Sequence, residues 1–155
     1  MHDRVGGNDF LLHGHIIMKD SSTPVLDRID IRIDVPAVSA VDMIGSAGVV
    51  ESSADVAKRV ATARERQHRR FADAGHGHIL TNASAPATLI EKLVEPDRES
   101  QSLPLQAAER FNLSARAYHR VLKVARTLAD LAGSDKVARP HIAEALSYRL
   151  SFGAA

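Results

Sequence analysis

Between Leu113 and Gly133, in the run LSARAYHRVLKVARTLADLAG, the apolar residues Tyr118, Val121, Leu122, Ala125, Leu128, Ala129 and Ala132 recur at steps of three and four. At 100° per residue that spacing predicts one helix with a wide apolar face, which must be buried. Ser114 can accept a hydrogen bond from a free N–H of the first turn, and Gly133 offers the left-handed stop that ends helices at low steric cost. The opposite face carries Arg116, His119, Arg120, Lys123, Thr127 and Asp130. Its N-terminal half is therefore a cationic strip at the helix end where the backbone dipole already favours anions, a place where a phosphate can sit.

The same pattern extends to both sides. Ser52 followed three residues later by Asp55 predicts the start of a helix running to about Ala72, with Val56, Val60, Ala63 and Phe71 on its buried side. Its other faces are basic, with Lys58, Arg59, Arg64, Arg66, His68, Arg69 and Arg70 against Asp55 and Glu65. A loop over Gly75 to Asn82 follows, then a short helix from Leu89 to Val94 stopped by Pro96, and another from Leu103 to Phe111 entered through Pro104. After a turn at Ser134 and Asp135, Pro140 sits in the first turn of a last helix whose apolar stripe is Ile142, Ala143, Leu146 and Leu150.

One stretch alternates with a period of two. Ile29, Ile31, Ile33 and Val35 face one way, Asp30, Arg32 and Asp34 the other, and Pro36 ends the run, so a strand is predicted over Ile29 to Val35. No other part of the chain alternates this cleanly, and a lone strand cannot pair its own backbone groups. Its partners are therefore expected outside this sequence, which points to a fragment of a larger protein. The first twenty residues carry only a weak strand signal over Phe10 to Met18, with His13 and His15 on one face. The predicted fold class is mainly α.

Composition sharpens this picture. Apolar residues make up 45% of the chain but aromatics only 4%, so the core must be aliphatic and rich in Ala, a palette that suits helix packing. A formal net charge of +1 excludes a whole-molecule basic field. Any contact with DNA would have to come from a local cluster, and Arg64, Arg66, Arg69 and Arg70 on the basic helix are the candidates; the plain alternative is a solvated face. The absence of cysteine excludes disulfide and thiolate chemistry. With no signal peptide and no run of membrane length, the chain reads as cytoplasmic with no membrane partner. His13 and His15, with His76 and His78, form two His-Gly-His pairs, but each brackets a Gly with no acidic or Cys ligand nearby, so no metal site is assigned. No Ser/His/Asp spacing suggests a hydrolase triad.

Three blocks in a fixed order carry a resemblance: STPVLDRIDIRIDVP, then ESSADVAKRVATARERQHRRF, then LSARAYHRVLKVARTLADLAG followed by HIAEALSYR. From about Ser22 to Leu150 the chain resembles the carboxyl-terminal region of the magnesium-chelatase-like AAA+ ATPases of the competence-protein type. The resemblance implies an AAA+ lid-like helical bundle preceded by one extended strand left over from the ATPase core. It divides the chain into a divergent segment 1–21, a core remnant 22–36, a linker with the basic helix 37–85 and a helical lid 86–155. It also implies that Arg28 is an arginine finger acting on a neighbouring subunit's nucleotide and that Arg116 is the sensor-2 arginine of the lid. A hexamer-type homo-oligomeric ring, ATP and Mg²⁺ in the full-length context, and ATP-driven remodelling related to DNA belong to the same expectation.

The departure is equally clear. No G-x-x-x-x-G-K-[ST] occurs anywhere, and the first twenty residues do not match the family at that place. Without a phosphate loop the chain alone is expected to bind no cofactor and to be inactive as an ATPase. The competing expectation is a stand-alone helical module that binds DNA or protein through its basic helix.

Overall fold

In the computed structural model, the described residues are 28–33, 35, 37, 51–94 and 102–150. Among these residues five α-helices form in chain order: α1 (Ser53–Asp73), α2 (Ala87–Val94), α3 (Leu103–Arg110), α4 (Ala115–Leu131) and α5 (Arg139–Leu150), with a 3₁₀ turn at Asn82–Ser84 before α2. Every other helical element packs on α4, and α3 also touches α5. The result is a helical bundle with α4 at its axis.

Local chemistry sets the boundaries. Ser52 caps α1: its Oγ accepts from the Asp55 N–H at 3.2 Å and donates to the Asp55 carboxylate at 2.6 Å, so Asp serves where a capping box usually has Glu. Ser114 caps α4 in the same manner, accepting from the Ala117 N–H at 3.2 Å. At the far end of α4, Gly133 takes a φ of +73°, the left-handed conformation that a side chain would strain.

The core is aliphatic and Ala-rich as composition requires. Val121, Leu122, Ala125 and Ala129 of α4 meet Ile90 and Val94 of α2, Phe71 of α1, and Ile142, Ala145 and Leu146 of α5. Leu122 is only 3% exposed. Leu122→Ala should therefore cost about 2 to 5 kcal/mol of folding stability through the cavity it leaves. Chemical denaturation measures this, and a loss of about 0.5 kcal/mol or less, typical of a surface site, would show that α4 is not seated as described.

Several expectations change. Among its described residues the stretch from Ile29 to Val35 forms no strand, and Ile29, Ile31, Ile33 and Val35 are 40% to 81% exposed. The physical reason is that its backbone pairs with helices: the Arg32 N–H donates to the Tyr148 carbonyl at 3.1 Å, and Arg149 Nη1 reaches the Ile29 carbonyl at 3.5 Å. Val56 and Val60 are exposed while Ala63 and Phe71 are buried, because the first turns of α1 extend past the bundle. In α5 the buried stripe includes Ala145, with Ala143 exposed, and at the end of α4 Ala132 is exposed.

The largest departure lies inside α4. Arg126 is 0% exposed and Asp130, expected on the solvent face, is buried with it. Arg126 donates to the carbonyls of Ser134 at 2.6 Å and Asp135 at 2.7 Å, and lies 3.1 Å from Asp130. Asp130 also pairs with Arg70 of α1 and accepts from Asn82 Nδ2 at 2.9 Å. A polar network thus ties α1, the 3₁₀ turn, α4 and the turn after it. Among the described residues no helix is long and apolar enough to cross a membrane. The region Phe10 to Met18, with His13 and His15, lies outside the described residues.

Candidate functional site

The buried Ala117 and Val121 fix the rotation of α4, so that its first turns present Arg116, His119, Arg120 and Lys123 on the other side. Opposite them lie the turn at Arg28 to Asp30, the 3₁₀ turn at Ala83 and the start of α2 at Ala87. Together these residues line a cleft of about 520 Å³. Arg28 and Arg116, distant in sequence, are thereby brought to one place.

Most of the cleft's charge is already committed. Arg120 donates from Nη1 to the Arg28 carbonyl at 2.7 Å and forms an ion pair with Asp30. Lys123 Nζ donates to the Ala83 carbonyl at 2.8 Å, holding the 3₁₀ turn against α4. Partial burial pulls the Lys123 pKa down, with Asp30 opposing and Arg120 reinforcing that shift. His119 Nε2 lies 2.8 Å from a Glu91 carboxylate oxygen, and its ring meets Tyr118 edge-on at 5.4 Å. Burial, and then the Glu91 charge, raise the Tyr118 pKa, so its phenol stays protonated.

Arg28 and Arg116 differ from these neighbours. Both are exposed, and among the described residues neither guanidinium has an ion-pair or hydrogen-bond partner. Two planar, permanently charged forks facing one cleft suit an anion with several oxygens, a phosphate above all. The cleft suits Mg²⁺ poorly. Among the described residues its one lining carboxylate, Asp30, is held by Arg120, whereas Mg²⁺ needs oxygen ligands.

The basic helix is less uniform than its sequence. Arg64 donates to Gln67 Oε1 at 3.1 Å, Arg66 pairs with Asp135 at 3.3 Å, and Arg69 is exposed. Arg70 turns into the bundle toward Asp130 and also donates to Asn82 Oδ1 at 3.2 Å. Arg66, Arg69 and Arg70 share a depression of about 620 Å³ with Glu65, Asp73 and Asp135, so its charge is mixed rather than a continuous basic track. His76 and His78 meet edge-on with ring centres 6.1 Å apart, and among the described residues no three potential ligands cluster around them.

Sequence reasoning placed Arg120 and Lys123 on the cationic strip but missed what they hold. The Arg120 link to Arg28 and Asp30 spans most of the chain, and no local pattern announces it. Arg126 escaped notice too, although an Arg four residues before an Asp on a helix otherwise built for burial is the one available sign.

Comparison with known proteins agrees with this architecture. The family profile described as magnesium chelatase, subunit ChlI C-terminal, matches residues 50–149, which takes in the five described helices short of the last residue of α5. The competence protein ComM of Haemophilus influenzae is 38% identical over 128 residues, covering 83% of this chain and 24% of that protein. The uncharacterized protein YifB of Salmonella typhimurium is 37% identical over 128 residues, and Rv2897c of Mycobacterium tuberculosis is 38% identical over 129 residues, each with the same shares covered. The chain thus spans about a quarter of the length of these relatives. With the profile taking in the whole bundle around α4, the chain belongs to the magnesium chelatase ChlI C-terminal family.

Proposed function

We propose that the chain is the carboxyl-terminal part of a magnesium-chelatase-like AAA+ ATPase and supplies two guanidiniums to the phosphates of a nucleotide held by a neighbouring subunit. Arg28 acts as the arginine finger and Arg116 as the sensor-2 arginine. One observation carries this reading: residues from distant parts of the chain meet in one cleft, and both remain unpaired among the described residues while the cations around them are engaged. Phosphoryl transfer needs positioning and neutralisation of charge more than covalent chemistry, and a rigid fork supplies both.

The nucleotide's other requirements lie elsewhere. A phosphate loop is absent from the sequence and, among the described residues, the cleft has no spare carboxylate, so ATP and Mg²⁺ would arrive with the subunit that carries the core. That division of labour is the reason to propose a homo-oligomeric ring, acting in the cytoplasm. Exposed Arg64 and Arg69 on α1 support DNA as the material remodelled, through phosphate contacts that need no sequence recognition.

The purified chain should therefore show no ATP turnover above background, and turnover should require a core bearing the phosphate loop. A phosphate-release assay with and without that core tests both statements. Turnover by the chain alone that vanishes in Arg28→Ala would overturn the reading. Salt-sensitive DNA binding by the chain, with no response of any kind to the core, would favour the stand-alone module instead.

A further inference from the structure

The two free guanidiniums belong to different parts of the fold. Arg116 stands on α4, which the core holds firmly, whereas Arg28 lies in an exposed turn. Within that turn Arg149 reaches the Ile29 carbonyl, and past it the Arg32 N–H on the Tyr148 carbonyl fastens the segment to α5. At Arg28 itself the fastening comes from Arg120. This residue lies one helical turn after Arg116, on the same side of α4. A single guanidinium grips the Arg28 carbonyl at 2.7 Å and the Asp30 carboxylate two residues on.

We infer that Arg120 is a positioning residue, which with Asp30 clamps the Arg28 turn to α4 and presets the two free guanidiniums as a pair. This rests on the cleft being the phosphate site proposed above. Both N–H groups of Arg120 Nη1 are spent on protein acceptors, and on this reading the residue acts through Arg28 rather than on the phosphate. An Arg suits the place because the rigid guanidinium plane fixes the two N–H directions of Nη1 toward the carbonyl and the carboxylate, whereas an ammonium on a rotating stem leaves its donors unfixed.

The two ways Arg120 could serve an anion give opposite results at Asp30. If Arg120 were itself a ligand, removing the neighbouring acid would free a cation and tighten anion binding. If Arg120 and Asp30 form a clamp, removing the acid loosens the Arg28 turn and weakens binding, although the cleft has become more positive. The experiment is an NMR titration of the chain with inorganic pyrophosphate at low ionic strength, on the native chain and on Asp30→Asn, Arg120→Lys, Arg120→Ala and the double variant Asp30→Asn/Arg120→Ala.

Asp30→Asn and Arg120→Lys should each weaken binding by about tenfold, the worth of one hydrogen bond to a charged group. The double variant should bind no more weakly than Arg120→Ala, and thermal unfolding should not move, since both partners lie at the surface. Unchanged or tighter binding in Asp30→Asn would overturn the clamp, as would native affinity in Arg120→Lys. Failure of saturable binding by the native chain would show that no preset pair exists, without touching a role for Arg28 in the assembly. Arg28→Ala and Arg116→Ala run alongside: if neither weakens pyrophosphate binding, the cleft reading fails and the clamp with it, whereas if both weaken it and Asp30→Asn does not, the clamp alone fails.

Discussion

In an assembly that supplies the phosphate loop, Arg28→Ala should lower kcat for ATP hydrolysis by about 10³ to 10⁵, the range over which an arginine finger acts. KM should change far less, because charge that builds up only in the transition state is what the guanidinium meets. Arg116→Ala should fall in the same direction by a smaller factor, and Arg116→Lys should restore only part of it, since an ammonium keeps the charge and loses the planar fork. The double variant should lose less than the product of the two losses, because both groups face the same cleft. Neither substitution should shift thermal unfolding, as both side chains are exposed. The measurement is steady-state phosphate release beside unfolding of the isolated chain. Native kcat in Arg28→Ala would leave that residue an ordinary surface charge.

What could be read in advance was whatever a segment settles within itself. Ser52 with Asp55, Ser114 with Ala117, and Gly133 fix the ends of α1 and α4 through contacts a few residues long, so the sequence shows them directly. The cationic strip on α4 was legible for the same reason, since positions 116, 119, 120 and 123 are neighbours on any helix. Pattern failed where the answer depended on other elements. Val56 and Val60 share a face with Ala63, but burial is decided by how far the bundle reaches, and α1 outruns it. The alternation of Ile29 to Val35 is genuine, yet a strand needs a neighbouring strand, and here the backbone finds Tyr148 and Arg149 of α5 instead. Asp130 was assigned to solvent because a charged residue on a helical wheel is normally outside. Arg70 of α1 and Asn82 of the 3₁₀ turn converge on it together with Arg126 of α4 itself, and only the last is visible from α4 alone.

That network yields the largest stability effect expected in this chain. Arg126→Ala should cost about 3 to 5 kcal/mol, the loss typical of removing one partner from a buried charge pair. With the guanidinium gone, the carbonyls of Ser134 and Asp135 lose their donors and a void opens where the fully buried side chain sat. Asp130 keeps Arg70 and Asn82 but loses the partner that shares its buried side. The native arrangement is itself imperfect: Arg126 Nε has no hydrogen-bond partner, and burial pulls the guanidinium pKa down against the opposing pull of Asp130. The pair is therefore costly to bury and costlier to break, and this makes a second result predictable. Arg126→Met/Asp130→Leu, which removes both charges and keeps most of the volume, should lose less stability than the two single changes summed. Chemical denaturation of the three variants measures the cycle. A loss in Arg126→Ala of about 1 kcal/mol or less, the worth of an exposed ion pair, would mean that water reaches the network and that Arg126 is not buried as described.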